Sequence, residues 1–147
     1  MKKILSVLIM MLFANLSFAK RNGNDVQYAI LYYLPLCLST YDSYDEYNVI
    51  NDRYTESKII RNRKSKHIYS RLIYVSKEKR QFVSCKGSLN LRVVVEFFDQ
   101  KKNCIDFCGF SNSGNLKYQG ECFDRDEELI QMLEKNVEKL KFFHVAK

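Results

Sequence analysis

Cysteines are the residues of this chain whose type and spacing most invite chemistry, because three of the five lie between Asn103 and Cys122. Cys104 and Cys108 fall in the segment CIDFCGF, which has the composition of a β-strand. Along a strand their spacing separates the two Cα atoms by about 13 Å, whereas a disulfide needs less than about 7 Å. The same separation is also too wide for the two thiolates to bind one zinc ion, because each Zn–S distance is about 2.3 Å. An extended segment therefore excludes a Cys104–Cys108 disulfide and a zinc ion shared by these two thiolates.

The strand register predicts where these cysteines point. The segment Leu89–Asp99 places apolar residues on one face, which we take as the core face. We expect Ile105 and Phe107 on the next strand to join that face. Since side chains alternate along a strand, Cys104 and Cys108 then lie on the opposite face.

Two disulfides follow from this register. Pairing of the neighbouring strands brings Cys104 next to Cys122, and this is the preferred pair. It brings Cys108 to the side of Cys85, which gives the second pair. Cys37 is left over, and free cysteines commonly serve as buried apolar fillers. An odd number of cysteines in an exported chain leaves at least one thiol unbridged.

Serine and histidine offer no nucleophilic site. Ser111 follows Gly109 as in the G-x-S-x-G elbow, but Ser113 stands where the second glycine belongs, and a strand follows instead of a helix. His67 lies among basic residues without an orienting acid, and His144 is close to the end of the chain. We therefore predict no catalytic residue, no metal site and no cofactor, in a protein that is not an enzyme.

The start of the chain has the organisation of a secretory signal peptide. Lys2 and Lys3 precede an apolar run over residues 4–13, and Ser17 and Ala19 form a small-x-small cleavage site. The run is shorter than the roughly 20 residues that a membrane span needs. We expect an exported protein in the periplasm or outside the cell, and the short Lys-Lys start is typical of bacteria.

Residues 20–147 have the size and composition of one globular domain, preceded by a signal peptide over 1–19. Hydrophobic residues make up 46% of the chain, and one proline with five glycines leaves no sign of a linker. Removing the two lysines of the leader reduces the net charge from +7 to +5. This mild excess does not imply a nucleic-acid partner, and we predict none.

Hydrophobic periodicity predicts the order β-β-α-β-β-β-α. The predicted strands cover 27–36, 54–60, 89–99, 104–110 and 116–119. Ile68, Leu72 and Val75 recur at helical spacing and predict the first helix. Asp124, with Glu127 three residues later, predicts the start of the second helix. A helix competes with the strand at 27–36, and a strand competes with the first helix. The fold class is α+β, a single antiparallel sheet with two helices packed on one face.

A tyrosine-rich segment predicts a partner-binding surface. Residues 39–54, STYDSYDEYNVINDRY, lack a strong helix or strand pattern and are predicted to form a long loop. Rigid amphipathic rings among small polar residues are typical of binding loops. The candidate partner-binding residues are Tyr41, Tyr44, Tyr47 and Tyr54. The alternative is a surface loop whose rings pack onto the body of the domain.

A basic segment predicts a second surface. Residues 58–80 contain a run of lysines and arginines with Glu78 as the one acid. Such a run suits an acidic protein face, a polyanion or an anionic envelope surface. The candidate basic patch consists of Arg61, Arg63, Lys64, Lys66 and Arg71. The alternatives are a solvated helix face, or charge pairing with the acidic tyrosine-rich segment.

The function predicted from these features is a small secreted or periplasmic binding protein of the inhibitor or immunity type. It contacts a protein partner through the tyrosine-rich segment and performs no catalysis. The alternative is an envelope- or polyanion-binding protein that uses residues 58–80. A salt titration of binding distinguishes the two hypotheses, because the affinity for a polyanion falls steeply as ionic strength rises.

We expect the exported protein to begin at Lys20, because Ala19 completes the cleavage site. Mass spectrometry of the protein recovered from the periplasm or the medium measures its N-terminus. An intact N-terminus together with retention in the membrane would contradict this prediction.

Overall fold

A computed structural model describes residues 25–35, 43–78 and 89–142. The elements in chain order are β1 (Tyr28–Tyr33), α1 (Glu46–Asn51), β2 (Glu56–Arg61), α2 (Arg63–Glu78), β3 (Leu91–Phe98), β4 (Cys104–Ser111), β5 (Leu116–Tyr118), β6 (Glu121–Phe123) and α3 (Glu127–Asn136). Several positions discussed from the sequence lie outside the described residues, namely the predicted signal peptide, Cys37, Tyr41, Cys85 and His144.

The six strands form one antiparallel sheet in the order β2-β1-β3-β4-β5-β6. One side of it, the inner face, packs against α2 and α3 and holds the main core. The opposite side, the outer face, packs against α1 at one end through Val49, Leu34 and Val94. The predicted α+β class, with one antiparallel sheet and two helices on one face, is confirmed.

Local sequence explains where α2 and α3 begin. The backbone of Asn62 is left-handed (φ 58°), and the Ser65 hydroxyl donates to the Asn62 carbonyl at 2.8 Å. At the start of α3, the Asp126 carboxylate accepts the backbone N–H of Leu129 at 2.8 Å and acts as the N-cap. The predicted cap at Asp124 was therefore wrong by two residues.

The segment predicted as a long loop contains the short helix α1. Asp45 caps it by accepting the backbone N–H of Asn48 at 2.8 Å. Val49 is its one buried residue, and the Thr55 hydroxyl donates to the Val49 carbonyl. A helix of six residues is too short to produce a periodic apolar pattern, so hydrophobic periodicity could not reveal it.

The last strand, β6, also went unpredicted. A two-residue turn joins it to β5, and both turn residues, Gln119 (φ 51°) and Gly120 (φ 79°), are left-handed. That conformation matches the twist of a tight hairpin and suits glycine at the second position. The chain therefore returns along β5 and places Phe123 in the core.

A β-bulge in β4 decides which side chains enter the core. Phe97 pairs with Asp106, whereas its neighbour Phe98 pairs with Cys104. The register thus shifts by one residue, and Ile105 is the extra residue of the bulge. A shift of one position moves every following side chain to the other face of a strand.

The faces predicted for β4 were therefore wrong beyond Ile105. Asp106 and Cys108 are buried on the inner face, where Asp106 is 7% exposed. Phe107, predicted to be in the core, lies on the outer face and is 49% exposed. Cys104 precedes the bulge and stays exposed, so it and Cys108 lie on opposite faces of the sheet.

This arrangement also overturns the predicted disulfides. Neither Cys104 nor Cys108 is disulfide-bonded, so the Cys104–Cys122 and Cys85–Cys108 pairs are not formed. Cys108 points into the core, and β5 and β6 lie beside the far end of β4, away from Cys104. Burial, together with the Asp106 carboxylate, raises the pKa of the Cys108 thiol well above its usual value. This thiol stays protonated and is a poor nucleophile.

Two tyrosines hold the buried carboxylate of Asp106. The Tyr69 hydroxyl on α2 donates to Oδ2 at 3.1 Å, and the Tyr118 hydroxyl on β5 donates to the same oxygen at 2.6 Å. The backbone N–H of Phe107 donates to Oδ1 at 3.0 Å. Burial and this carboxylate hold the pKa of Tyr118 above its usual value, so its hydroxyl remains a donor. The network connects α2, β4 and β5 across the inner face.

We expect Phe110→Ala to lower the free energy of unfolding by about 3–5 kcal/mol, the usual cost of truncating a buried aromatic ring. Phe110 is buried and packs edge-to-face on Phe142 with ring centroids 6.0 Å apart. The matched control, Phe107→Ala on the outer face, should cost about 1 kcal/mol or less. Urea denaturation measures both variants. A larger loss for Phe107→Ala would contradict the bulge.

Candidate functional site

Tyr44 is held in place by the fold. Its hydroxyl donates to the Asp52 carboxylate at 2.8 Å, and its backbone N–H donates to Asn90 Oδ1 at 3.1 Å. Its carbonyl accepts the N–H of Leu91 at 2.8 Å, and the Arg92 guanidinium lies over its ring at 5.7 Å. The backbone of Tyr44 therefore fastens the approach to α1 to the start of β3, and its hydroxyl bonds to Asp52 at the end of α1. Partner binding by Tyr44 stays a prediction, but the residue has a structural task as well.

Tyr47 and Tyr54 have the exposure that a binding residue needs. Tyr47 lies on α1 with its side chain 72% exposed, and Tyr54 lies in the turn before β2 at 52%. The Arg53 guanidinium stacks over the Tyr54 ring at 4.6 Å. The Asp52 carboxylate also accepts the backbone N–H of Tyr54 at 2.8 Å. That bond, followed by the bond from Tyr44, lowers the pKa of Asp52 and keeps the acceptor charged.

The outer face carries more apolar surface than the alternating pattern predicted. One row crosses four strands in succession and consists of Ile59, Ile30, Glu96 and Phe107. Ile59 and Phe107, the two ends of this row, are exposed. Burial, followed by the charge of Glu96 and a hydrogen bond to it, raises the pKa of the adjacent Tyr32 to about 12. The Tyr32 hydroxyl thus stays a donor to Glu96 within an otherwise apolar area.

The residues of the predicted basic patch divide into two groups. Arg61, Arg63 and Lys64 are exposed at the end of β2 and the start of α2, and Lys66 is half-buried one turn further. Arg71 has a different environment. Its guanidinium binds Asp126 through two hydrogen bonds of 2.9 and 2.7 Å and contacts Glu128 at 2.7 Å. The bond to Asp126 raises the pKa of Arg71 and ties α2 to the N-cap of α3.

An open cleft of about 410 Å³ lies between the edge strand β2, the first turn of α2 and the C-terminal end of α3. Four of its lining residues are cations, and we call this site the basic cleft: Lys58, Arg61, Lys64 and Lys135. Ile59, Ile60 and Asn136 complete the lining, which contains no acidic side chain. None of the four cations forms an ion pair with a carboxylate in the part of the chain that the structure describes.

Sequence reasoning found part of this cleft and missed the rest. Arg61 and Lys64 belong to the predicted patch, and Lys58 begins the basic segment. Lys135 stands on α3, more than seventy positions further along the chain, and was not singled out. Because the packing of α3 on the inner face beside α2 brings Lys135 to the cleft, no local sequence pattern contains that signal.

Across residues 25–35, 43–78 and 89–142, no group of three or more His, Cys, Asp or Glu side chains is arranged to hold a metal ion. Nor does any helix there combine the length and the apolarity that crossing a bilayer requires. Comparison with protein-family models, curated proteins and solved structures gives no match.

We expect Tyr44→Ala to lower the free energy of unfolding by about 2 kcal/mol or more, because it removes a half-buried ring and the hydroxyl that donates to the Asp52 carboxylate. The matched change Tyr47→Ala removes the same side chain from an exposed position and should stay within about 0.5 kcal/mol. Chemical denaturation monitored by circular dichroism measures both. Equal losses would show that Tyr44 has no structural role.

Proposed function

We propose that this protein is an exported, non-enzymatic binding protein of the inhibitor or immunity type, which contacts a protein partner through Tyr47 and Tyr54. Tyr44 supports this surface from beneath. The partner meets the side of the sheet on which α1 packs, and Ile59 and Phe107 extend the contact area.

The distribution of exposed large apolar side chains is the observation that supports this proposal. Within the described residues there are five: Tyr47, Tyr54, Ile59, Tyr74 and Phe107. Four of them belong to the outer face or to the segment from α1 to β2, and Tyr74 alone lies on α2. Large aromatic residues are enriched at the centres of protein interfaces, where truncation of one typically costs about 2 kcal/mol or more.

The rigidity of the segment also favours binding. Glu46 at the start of α1 forms an ion pair with Lys117 on β5 at 3.0 Å. Thr55 bonds to Val49 at the other end, and Tyr44 fixes the approach to the helix. Side chains presented from an ordered backbone lose less conformational entropy when they bind, and this improves affinity.

A second candidate function is binding to an anionic envelope surface or polyanion through the basic segment. The observation that favours it is the exposure of Arg61, Arg63 and Lys64 next to one another. Arg71 contributes little to such a surface, because its charge is compensated by Asp126 and Glu128.

We expect the double variant Tyr47→Ala/Tyr54→Ala to weaken partner binding by about 30-fold or more while the domain stays folded. The experiment is a pull-down from the native envelope fraction, followed by titration of the captured partner. Tyr74→Ala is the matched control, since Tyr74 and Tyr54 are equally exposed at 52%. It should leave binding unchanged.

A variant that neutralises Arg61, Arg63 and Lys64 separates the two candidates. If the tyrosine variant retains its partner while this variant loses it, the anionic surface is the correct interpretation. An equal loss for Tyr74→Ala would show that binding does not depend on this side of the molecule.

A further inference from the structure

We propose that the basic cleft is a binding site for the phosphoryl group of a small organic phosphate or pyrophosphate. The inference deepens the second candidate function, because it rests on the same end of the basic segment meeting an anion. It goes further in naming a discrete site, a class of ligand and a residue, Lys135, that lies outside that segment.

The cleft gathers positive charge from three separate elements. Lys58 and Arg61 come from β2, Lys64 from the first turn of α2, and Lys135 from the last turn of α3. Like charges brought together in this way repel one another, and no acidic side chain in the lining offsets that repulsion. A bound dianion replaces that repulsion with attraction to several cations at once.

The nearest acids along these elements are engaged elsewhere. Glu56, two positions before Lys58 on β2, accepts the Tyr33 hydroxyl at 2.7 Å and contacts Lys139 at 3.4 Å. The Tyr33 bond holds the pKa of Glu56 low, so it remains a charged acceptor there. Glu134, next to Lys135, accepts the backbone N–H of Phe142 at 2.9 Å. These two carboxylates therefore already have other partners.

The helix α2 adds to the field at the cleft. Its first turn carries Arg63 and Lys64 and no acidic residue. A helix N-terminus is the positive end of the macrodipole, where acidic side chains are the favourable choice. Basic residues at that end are an unfavourable arrangement in the absence of an anion, and a bound anion offsets it.

The volume and the lining residues of the basic cleft restrict the class of ligand that it can bind. A volume of about 410 Å³ lies within the usual range of roughly 300–1,000 Å³ for small-molecule sites, so there is room for more than an isolated ion. Three lysines act as point charges toward phosphate oxygens, and an arginine can bind two of those oxygens together. Ile59, which is exposed, gives the cleft an apolar side chain against which an organic group can pack.

The test compares two variants that lose the same charge. The cleft variant is Lys58→Gln/Lys64→Gln/Lys135→Gln, and the control is Lys77→Gln/Lys101→Gln/Lys102→Gln. All six lysines are exposed, so neither variant should disturb the core. Calorimetric titration of the full mature chain with pyrophosphate at low ionic strength measures affinity. We expect saturable one-site binding, weakened tenfold or more in the cleft variant and by less than twofold in the control.

Lys135→Gln alone separates this inference from the second candidate function. The single change should weaken pyrophosphate binding by threefold or more, with no effect on heparin binding by the exposed basic segment. Absence of saturable pyrophosphate binding would contradict the proposed binding site. An equal loss of pyrophosphate affinity in both triple variants would contradict it as well. Heparin binding that persists in either case leaves the second candidate function standing without the cleft.

Vesicles identify the source of the phosphoryl group. Phosphatidic acid in a neutral carrier lipid presents phosphate monoesters at a surface. Vesicle binding that is lost in the cleft variant and kept in the control assigns the site to a lipid headgroup. Pyrophosphate binding without vesicle binding assigns it to a soluble phosphate, and both results support the site.

Discussion

One residue inserted in β4 is the constraint on which the rest of the structure depends. Ile105 shifts the register between β3 and β4, and every side chain that follows it changes face. Asp106 and Cys108 therefore enter the core, while Phe107 turns to the outer face. Without the bulge, an apolar ring would replace a carboxylate beneath the helices.

The buried carboxylate of Asp106 is tolerable because its hydrogen bonds are made. Leaving a buried polar group without a partner costs about 1–3 kcal/mol, and more for a charged one. The hydroxyls of Tyr69 and Tyr118 meet that demand, and they come from a helix and a strand on either side of the carboxylate. A second polar contact, from Arg71 to the cap residue Asp126, joins the two helices to each other. The inner layer is thus positioned by two directional networks within an apolar core.

The same architecture keeps the tyrosines of one candidate surface apart from the cations of the other. The tyrosines lie on and next to α1, which packs on the outer face, whereas the basic cleft opens where β2 meets the ends of α2 and α3. Glu56 and Tyr54 stand close together in sequence but serve different tasks. Glu56 bonds to Tyr33 in the inner layer, and Tyr54 remains exposed before the strand begins. Ile59 alone belongs to both surfaces, so the tyrosines can be altered by substitution without changing the cations of the cleft.

The sequence by itself determined the α+β class, the antiparallel pairing and the core stripe of α2, because these follow from local periodicity and short turns. Ile68, Leu72 and Val75 are buried as their spacing predicts. The alternation of apolar and polar residues along a strand does not reveal a single inserted residue. The faces of β4 and the cysteine pairs could therefore not be predicted from it. The exposed cations of the basic segment followed from composition, whereas the cleft also requires Lys135, which is brought there only when α3 packs on the inner face beside α2. Contacts between residues far apart in the chain depend on the shape of the assembled layers, and only the tertiary structure decides that shape.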